Sequence, residues 1–412
     1  MSNKKQNNRR VNTVNREPRF RVSTGSLRWF ALAACLPSAA GAEVKLVPYG
    51  SAQYEFHSNL LEVSGRSEAE AERGDSKMSD SVLQYKAGAD AALIGQQQQL
   101  ELNGEYRRLD YAHFDDLNHN EYKFGGRFSW KLGSTVDGNI DYRQERRIAS
   151  FANLDTSELT LQVDRRANAM IGYDVTPSWR VEAGAGHTDS ELPLVDDADF
   201  RLRDNSGSVE LKYTGVAGFA AGVLTEYRDG QYDGNIEHRR DFKEGTVQLT
   251  GDYDVSGMSH LRAKLGATKR HEDADNGQGG NVSGFTGSLA YTRTISAKSR
   301  FESEIFRRVE SYIAGANAMI TSGGSIGIGW TPTPNMVLGA RYELSHSSFD
   351  GDGSEESGRT DDFNIATLDL SYQALRWLTL RPFASYRNRD SNVDSQSFED
   401  VMVGAELMMR FE

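Results

Sequence analysis

The chain has 412 residues, 40 of them glycine and one cysteine, with a formal net charge of −12 and a mean hydropathy of −0.60. No run of about 18 apolar residues is present, which excludes a transmembrane helix. A membrane β-barrel stays open, because its strands alternate apolar and polar residues and average out as hydrophilic. A lone cysteine excludes a disulfide framework and a thiolate metal site, and the acidic balance argues against a nucleic-acid partner.

Residues 1–42 read as an export signal peptide. Met1 to Arg28 holds eight Lys/Arg against one acidic residue, Glu17; the apolar run from Trp29 to Leu36 follows, Pro37 breaks it, and Ala40-Gly41-Ala42 closes in an A-x-A cleavage pattern. The mature chain is expected to begin at Glu43 with a net charge of −19. Leu32-Ala33-Ala34-Cys35 also fits a lipoprotein box, but leaves an apolar core of only about four residues before the cysteine, short of the usual seven or more. The basic region is long enough to suggest a start codon downstream of Met1.

From Glu43 onward one unit repeats: an alternating run, a short turn, a second run, a longer polar stretch. Period-2 alternation marks strands with one apolar and one polar face. Such runs begin near residues 45, 82, 98, 121, 135, 158, 178, 206, 218, 243, 259, 283, 299, 317, 335, 363, 377 and 399, the last carrying Val401, Val403, Ala405, Leu407, Met409 and Phe411 on one face. The fold expected for 43–412 is all-β: a transmembrane antiparallel up-and-down barrel of about 18 strands (16–18), as in single-chain bacterial barrels.

The connections support this independently. Short turns are predicted at 95–97, 133–134, 176–178, 214–217, 256–258, 296–298, 331–334 and 373–375. Long polar loops alternate with them, among them 58–81, 189–203, 229–241, 270–281 and 346–362. Alternating short turns and long loops is the periplasmic and extracellular pattern of outer-membrane barrels, and an even strand count puts both termini in the periplasm. Proline in the short turns fits, since it cannot donate to a ladder.

Which face meets lipid follows from cost. An Arg or Lys on the lipid face near the midplane costs about 2–4 kcal/mol, so the charged face must line the lumen. The predicted pore-lining residues are Glu101, Glu105, Arg107, Lys123, Arg127, Lys131, Asp137, Asp141, Arg143, Arg180, Glu182, Glu210, Lys212, Arg262, Lys264, Arg341, Glu343, Arg381, Arg387, Glu406 and Arg410. Rings of such charge set pore selectivity, and acids and bases on neighbouring strands also pair to hydrate the wall. With about 18 strands the interior is too wide for side chains alone to fill, which predicts a water-filled channel unless a loop enters it.

Four local stretches hold residues able to carry chemistry or local structure. His57-Ser58-Asn59 suggests a rim hydrolase, since a hydroxyl nucleophile needs an adjacent base. Neighbours in a strand point to opposite faces, however, and no third member stands out among eight scattered histidines, so no catalytic residue is assigned. Asp350-Gly-Asp352-Gly-Ser-Glu355-Glu356 with Asp361-Asp362, and Asp196-Asp197 with Asp199, read as solvated acidic loops rather than calcium sites, since the EF-hand spacing is missing. No metal or cofactor is assigned. Within the first loop, Ser67-Glu-Ala-Glu-Ala-Glu-Arg73 is able to form a helical turn.

Two segments resemble a family. Tyr54-Glu-Phe56-His57-Ser58-Asn59-Leu60-Leu61 is similar to the aromatic–x–(Asp/Ser)–Asn–Leu strand end of the EpsL-like porins encoded in exopolysaccharide operons, with His57 where an acidic residue is more usual. Arg381-Pro-Phe-Ala-Ser-Tyr386-Arg387-Asn-Arg-Asp-Ser-Asn392 resembles the ending of that group, and the Trp-Thr-Pro turn at 330–332 and Val-Thr-Pro-Ser-Trp at 175–179 resemble its periplasmic turns. The resemblance implies export of an exopolysaccharide through the outer membrane, with periplasmic export factors as partners. A barrel as such implies lipopolysaccharide, outer-membrane lipid and the barrel-assembly machinery. A diffusion porin for small solutes or oligosaccharides is the alternative that periodicity alone allows.

Overall fold

The computed structural model describes residues 43–411, apart from 152–153, 155–156, 194–198, 234–239, 275–279, 313–316 and 351–357. The signal-peptide reading, Cys35 and most of the acidic residues singled out near 196 and 352 lie outside the described residues. The first half of the chain forms β1 (Glu43–His57), β2 (Asp80–Ile94), β3 (Gln98–Tyr111), β4 (His119–Leu132), β5 (Val136–Ile148), β6 (Leu161–Thr176), β7 (Trp179–Pro193), β8 (Asp199–Val216) and β9 (Phe219–Asp233). The second half forms β10 (Arg240–Ser256), β11 (Ser259–Ala274), β12 (Asn281–Ser296), β13 (Ser299–Tyr312), β14 (Asn317–Thr333), β15 (Met336–Asp350), β16 (Thr360–Leu375), β17 (Leu378–Ser391) and β18 (Phe398–Arg410). An eight-residue helix, α1 (Arg66–Arg73), lies between β1 and β2.

Each strand pairs antiparallel with its sequence neighbours, and β1 also pairs with β18, so the 18-stranded sheet closes on itself. The closing seam runs from Tyr49↔Arg410 to His57↔Met402. Closure leaves no unpaired edge, the condition a sheet must meet to sit in hydrocarbon. The start of β1, the end of β18 and the eight short turns are at one end; the nine longer connections are at the other.

The short turns fall where the sequence places them, with one refinement. In six of the hairpins the register shifts beside the turn, as between Asp174 and Thr176 or Tyr213 and Val216. Pro332 sits in one of these shifts, within β14 between Trp330 and Thr333, rather than in the turn. A bulge leaves one residue outside the ladder, so the missing N–H costs no hydrogen bond there.

The long loops are shorter than the sequence suggests. Residues 189–193 and 199–203, read as loop, pair with each other as the upper ends of β7 and β8. Likewise 229–233 and 240–241, 270–274 and 281, and 346–350 and 360–362 are strand, Asp361 and Asp362 included. The physical reason is solvent. Beyond the bilayer both faces meet water, so apolar alternation fades while ladder hydrogen bonding continues. Phe411 lies one residue past β18, where its amide still donates to Pro48 O at 3.1 Å and its ring stacks on Trp377.

One face of the sheet carries exposed apolar side chains: Leu102, Phe124, Ile140, Val209, Leu249, Leu265, Ile326, Leu368 and Val403. Aromatic pairs mark its short-turn rim, Trp179 with Tyr213 and Phe219 with Tyr253. An apolar band with an aromatic girdle is the lipid-facing surface of an outer-membrane barrel.

Candidate functional site: the concave wall and the mouth

Curvature separates inside from outside. Strands two apart are separated by about 10 Å, so their side chains meet only where the sheet is concave. On the charged face they do meet. Tyr49 of β1 donates to Glu105 of β3 at 2.9 Å, Lys86 of β2 donates to Glu406 of β18 at 3.1 Å across β1, and Arg180 of β7 reaches Asp137 of β5 at 2.7 Å. Thr250 of β10 donates to Glu210 of β8 in the same way. The charged face is therefore the inner one.

Pairing registers place every predicted pore-lining residue on this inner face. Many are joined into ion pairs. Arg180 is a hub, 2.7 Å from Asp137, 3.1 Å from Asp174 and 2.7 Å from Glu182. Lys212 links Glu182 and Glu210, at 3.1 and 3.4 Å. Arg107 pairs with Glu105 and Glu121, Arg381 with Glu406, Arg410 with Asp90, Arg143 with Glu145, Arg262 with Asp252 and Arg341 with Glu343. Asp141 accepts from Asn168, and Glu101 from Gln99. Lys123, Arg127, Lys131 and Lys264 form no ion pair with a described residue. Two hollows lie along the wall. One, of about 680 Å³, is lined by Lys45, Glu101, Lys123, Arg127, Asp141 and Arg143. The other, of about 660 Å³, is lined by Glu210, Lys212, Asp252, Arg262 and Lys264.

At the long-loop end the first connection, 58–79, folds against the inner face. Leu61, Val63 and Ala69 are buried with Val82, Leu109 and Tyr111 of the inner β2–β3 wall, and with Phe114, Leu117 and Phe151 from the next two connections. The helical turn foreseen at 67–73 is α1, closed by Gly74 at φ 70°, a backbone region that glycine enters without steric cost. Ser64 N–H and hydroxyl both donate to Glu68 at 2.6 Å. On its far side α1 is tied down by Glu72 to Ser157, and by Arg73 to Ser157 O and Asp116. Just beyond α1, His113 lies 2.7 Å from Asp75. This hydrogen bond first, and the Lys77 amide second, hold the Asp75 carboxyl below the usual carboxylate range.

A second anchor is a buried polar cluster at the top of the seam. The fully buried Asp400 of β18 accepts from His57 Nδ1 at 3.0 Å, from the Asn59 amide at 3.0 Å and from the Ser58 hydroxyl at 3.3 Å. Asp400 is thus the third member that the His57-Ser58 motif lacked in the sequence, but the wiring differs from a nucleophile's. Ser58 gives its proton to Asp400 rather than to His57, so base and hydroxyl are not coupled in the way nucleophilic attack needs. Arg387, 3.7 Å from Asp400, also pairs with Glu62 of the first connection, whose other carboxylate oxygen accepts from Ser150. Glu62 holds φ 55°, a left-handed conformation that non-glycine residues seldom adopt. Sequence reasoning included Arg387 and missed Glu62 and Asp400, because nothing local marks either one. Among the described residues no three His, Cys, Asp or Glu converge as a metal site.

No protein-family model matches the chain, and no curated sequence matches it. Solved structures do. The FrpB iron transporter of Neisseria meningitidis (F5-1 variant, apoprotein) matches at 10% identity and a TM-score of 0.50, over 83% of this chain and 61% of that one. OpdK of Pseudomonas aeruginosa, solved with vanillate, matches at 11% identity and a TM-score of 0.46, over 89% of this chain and 99% of that one. The siderophore receptor PirA of Pseudomonas aeruginosa matches at 10% identity and a TM-score of 0.44, over 89% and 80%. These are likenesses of fold, to an iron transporter, an outer-membrane protein and a siderophore receptor. With its closed ladder, apolar belt and charged inner wall, the protein is an 18-stranded barrel of the bacterial outer membrane.

Proposed function

We propose that the barrel is a channel through which a secreted exopolysaccharide crosses the outer membrane. The observation that carries this reading is the inner wall, where most of the predicted pore-lining acids and bases are paired, within a strand or with a neighbouring one. Paired charges hydrate the wall, and their net field is small. A sugar chain then exchanges weak hydrogen bonds with Tyr, Asn, Ser and carboxylate groups and is not held at any one of them. The EpsL-like segments around residues 54–61 and 381–392 point the same way. A strain lacking the gene is expected to retain polymer in the periplasm; normal secretion from that strain overturns the reading.

A second reading is a diffusion porin for small solutes or oligosaccharides. The first connection, packed inside the mouth, favours it, because it narrows the aperture a polymer would need. Steady ion conductance by purified protein in planar bilayers, combined with normal secretion in the deletion strain, selects this second reading. In both, Lys123, Arg127, Lys131 and Lys264, which have no ion pair among the described residues, are cations placed to meet a passing solute.

A further inference from the structure

We infer that residues 58–79 are the constriction of this barrel, held across the mouth by the Glu62–Arg387 ion pair, and that they set the size of solute that passes. The inference rests on the channel reading above and names its size filter.

Span is the first argument. At one end the segment buries Leu61, Val63 and Ala69 against Val82 of β2 and Leu109 and Tyr111 of β3. At the other, Glu62 meets Arg387 of β17. It therefore bridges five neighbouring strands: β17, β18, β1, β2 and β3. Four inter-strand spacings make an arc of about 19 Å. A segment fastened to both ends of that arc from the concave side occupies lumen that would otherwise be open.

The fastening is specific. Apolar burial, which is non-directional, holds the β2–β3 side. On the β17 side the Glu62–Arg387 charge pair fastens the segment, and both partners are positioned by other contacts. Asp400 orients Arg387, and Ser150 holds the second oxygen of Glu62. The left-handed backbone at Glu62 aims its carboxylate, and such conformations persist only where surrounding contacts fix them. Beside Glu62 a space of about 170 Å³ remains, lined by the polar Glu68, Glu72, Arg389 and Gln396 and by Leu61, Val63 and Phe151 of the apolar cluster. The tie to β17 itself is ionic, a joint that charge reversal weakens while the apolar side keeps its packing.

The test uses the whole mature barrel in planar bilayers. Single-channel conductance is read together with the largest polyethylene glycol that still enters the pore. Replacing 60–78 by Gly-Gly is expected to raise conductance at least twofold and to admit larger glycols. Arg387→Glu is expected to raise both, with flicker, and Glu62→Arg combined with Arg387→Glu to bring them part of the way back, since a carboxylate at 387 still faces Asp400. Heat-modifiable migration on gels confirms that each variant is a folded barrel. If the loop replacement fails to fold, the charge-reversal pair decides alone. Unchanged conductance and glycol cut-off in Arg387→Glu overturn the constriction while leaving the channel reading intact. A folded wild type and a folded loop replacement that both fail to conduct overturn the channel reading, and the constriction with it.

Discussion

Asp400 of the last strand and His57 of the first meet across the closing seam, with His57 Nδ1 3.0 Å from the Asp400 carboxylate. The contact joins residues 343 positions apart. It lies at the end of a ladder in which β1 and β18 share only the stretch 49–57, whereas β1 and β2 pair from Glu43 to His57. The weaker side of β1 is thus reinforced where its backbone pairing stops. The same carboxylate caps the Asn59 amide and orients Arg387, so closure of the barrel and placement of the first connection share one residue.

Asp400→Ala should therefore be among the costlier single substitutions. It leaves Arg387, His57 and the Asn59 N–H without their buried acceptor, and removing one partner of a buried charged pair costs about 3–5 kcal/mol. The expected result is a lower urea midpoint for the folded, heat-modifiable form in detergent. Ser58→Ala removes the hydroxyl's bond to Asp400 and the one it accepts from the Val401 amide, and should cost about 1–3 kcal/mol, two hydrogen bonds' worth, since the His57 and Asn59 contacts remain. Equal midpoints for Asp400→Ala and wild type would remove Asp400 from this role.

The pairing of Asp75 with His113 makes a pH prediction. A carboxyl held below its ordinary range contributes stability that is present above the unfolded value, about 3.9 for Asp, and is lost as pH falls through the folded value. Amide exchange across 66–79, corrected for intrinsic rate, should lose protection as pH falls below about 4. Asp75→Asn should show the weaker protection throughout and no such step. A step of equal size in Asp75→Asn would place its origin elsewhere.

Much of this was legible because the membrane imposes a period on the sequence. From Leu100 to Tyr106 and from Tyr122 to Leu132 the alternation is strict, since one face meets hydrocarbon and the other water, and the structure starts β3 at Gln98 and β4 at His119. Above the bilayer the constraint lapses. Arg165, Asp189, Glu191 and Arg201 are an ion-paired group on the outer face of β6, β7 and β8, and in sequence 189–203 is indistinguishable from loop. The helix at 66–73 was legible from its Glu-Ala repeat; its inward fold was not. That fold depends on Arg387 and Asp400, which only closure of the cylinder brings near Glu62.

The assignment of faces is testable at two adjacent residues. Leu289 of β12 lies on the apolar outer face, next to Ala263 and Ile305, while Ala290 lies on the inner face between Arg262 and Glu304. Leu289→Arg puts a cation into lipid near mid-strand, at about 2–4 kcal/mol. Ala290→Arg puts the same group into water beside Glu304 and should change stability by no more than about 0.5 kcal/mol. Folding titrations of the two variants in lipid vesicles check this, and the reverse order would exchange inside and outside.

Arg180 offers the sharpest test of whether wall charge governs passage. Its guanidinium is within 3.1 Å of Asp137, Asp174 and Glu182, and these carboxylates have few other cations: Lys212 reaches Glu182 only. Arg180→Ala changes the inner wall by one positive charge and leaves a patch of carboxylates facing the lumen near the short-turn end. Charged rings of this kind select counter-ions, and the low dielectric of the wall keeps their field from being fully screened. In a bilayer with a potassium chloride gradient, the reversal potential of Arg180→Ala should move toward the potassium equilibrium value relative to wild type. Arg180→Lys, which keeps the charge but loses the branched reach to three partners, should restore most of the wild-type selectivity. A reversal potential identical in all three proteins would mean that ions do not pass close to this wall, and that the paired charges serve only to hold the strands together and keep them wet.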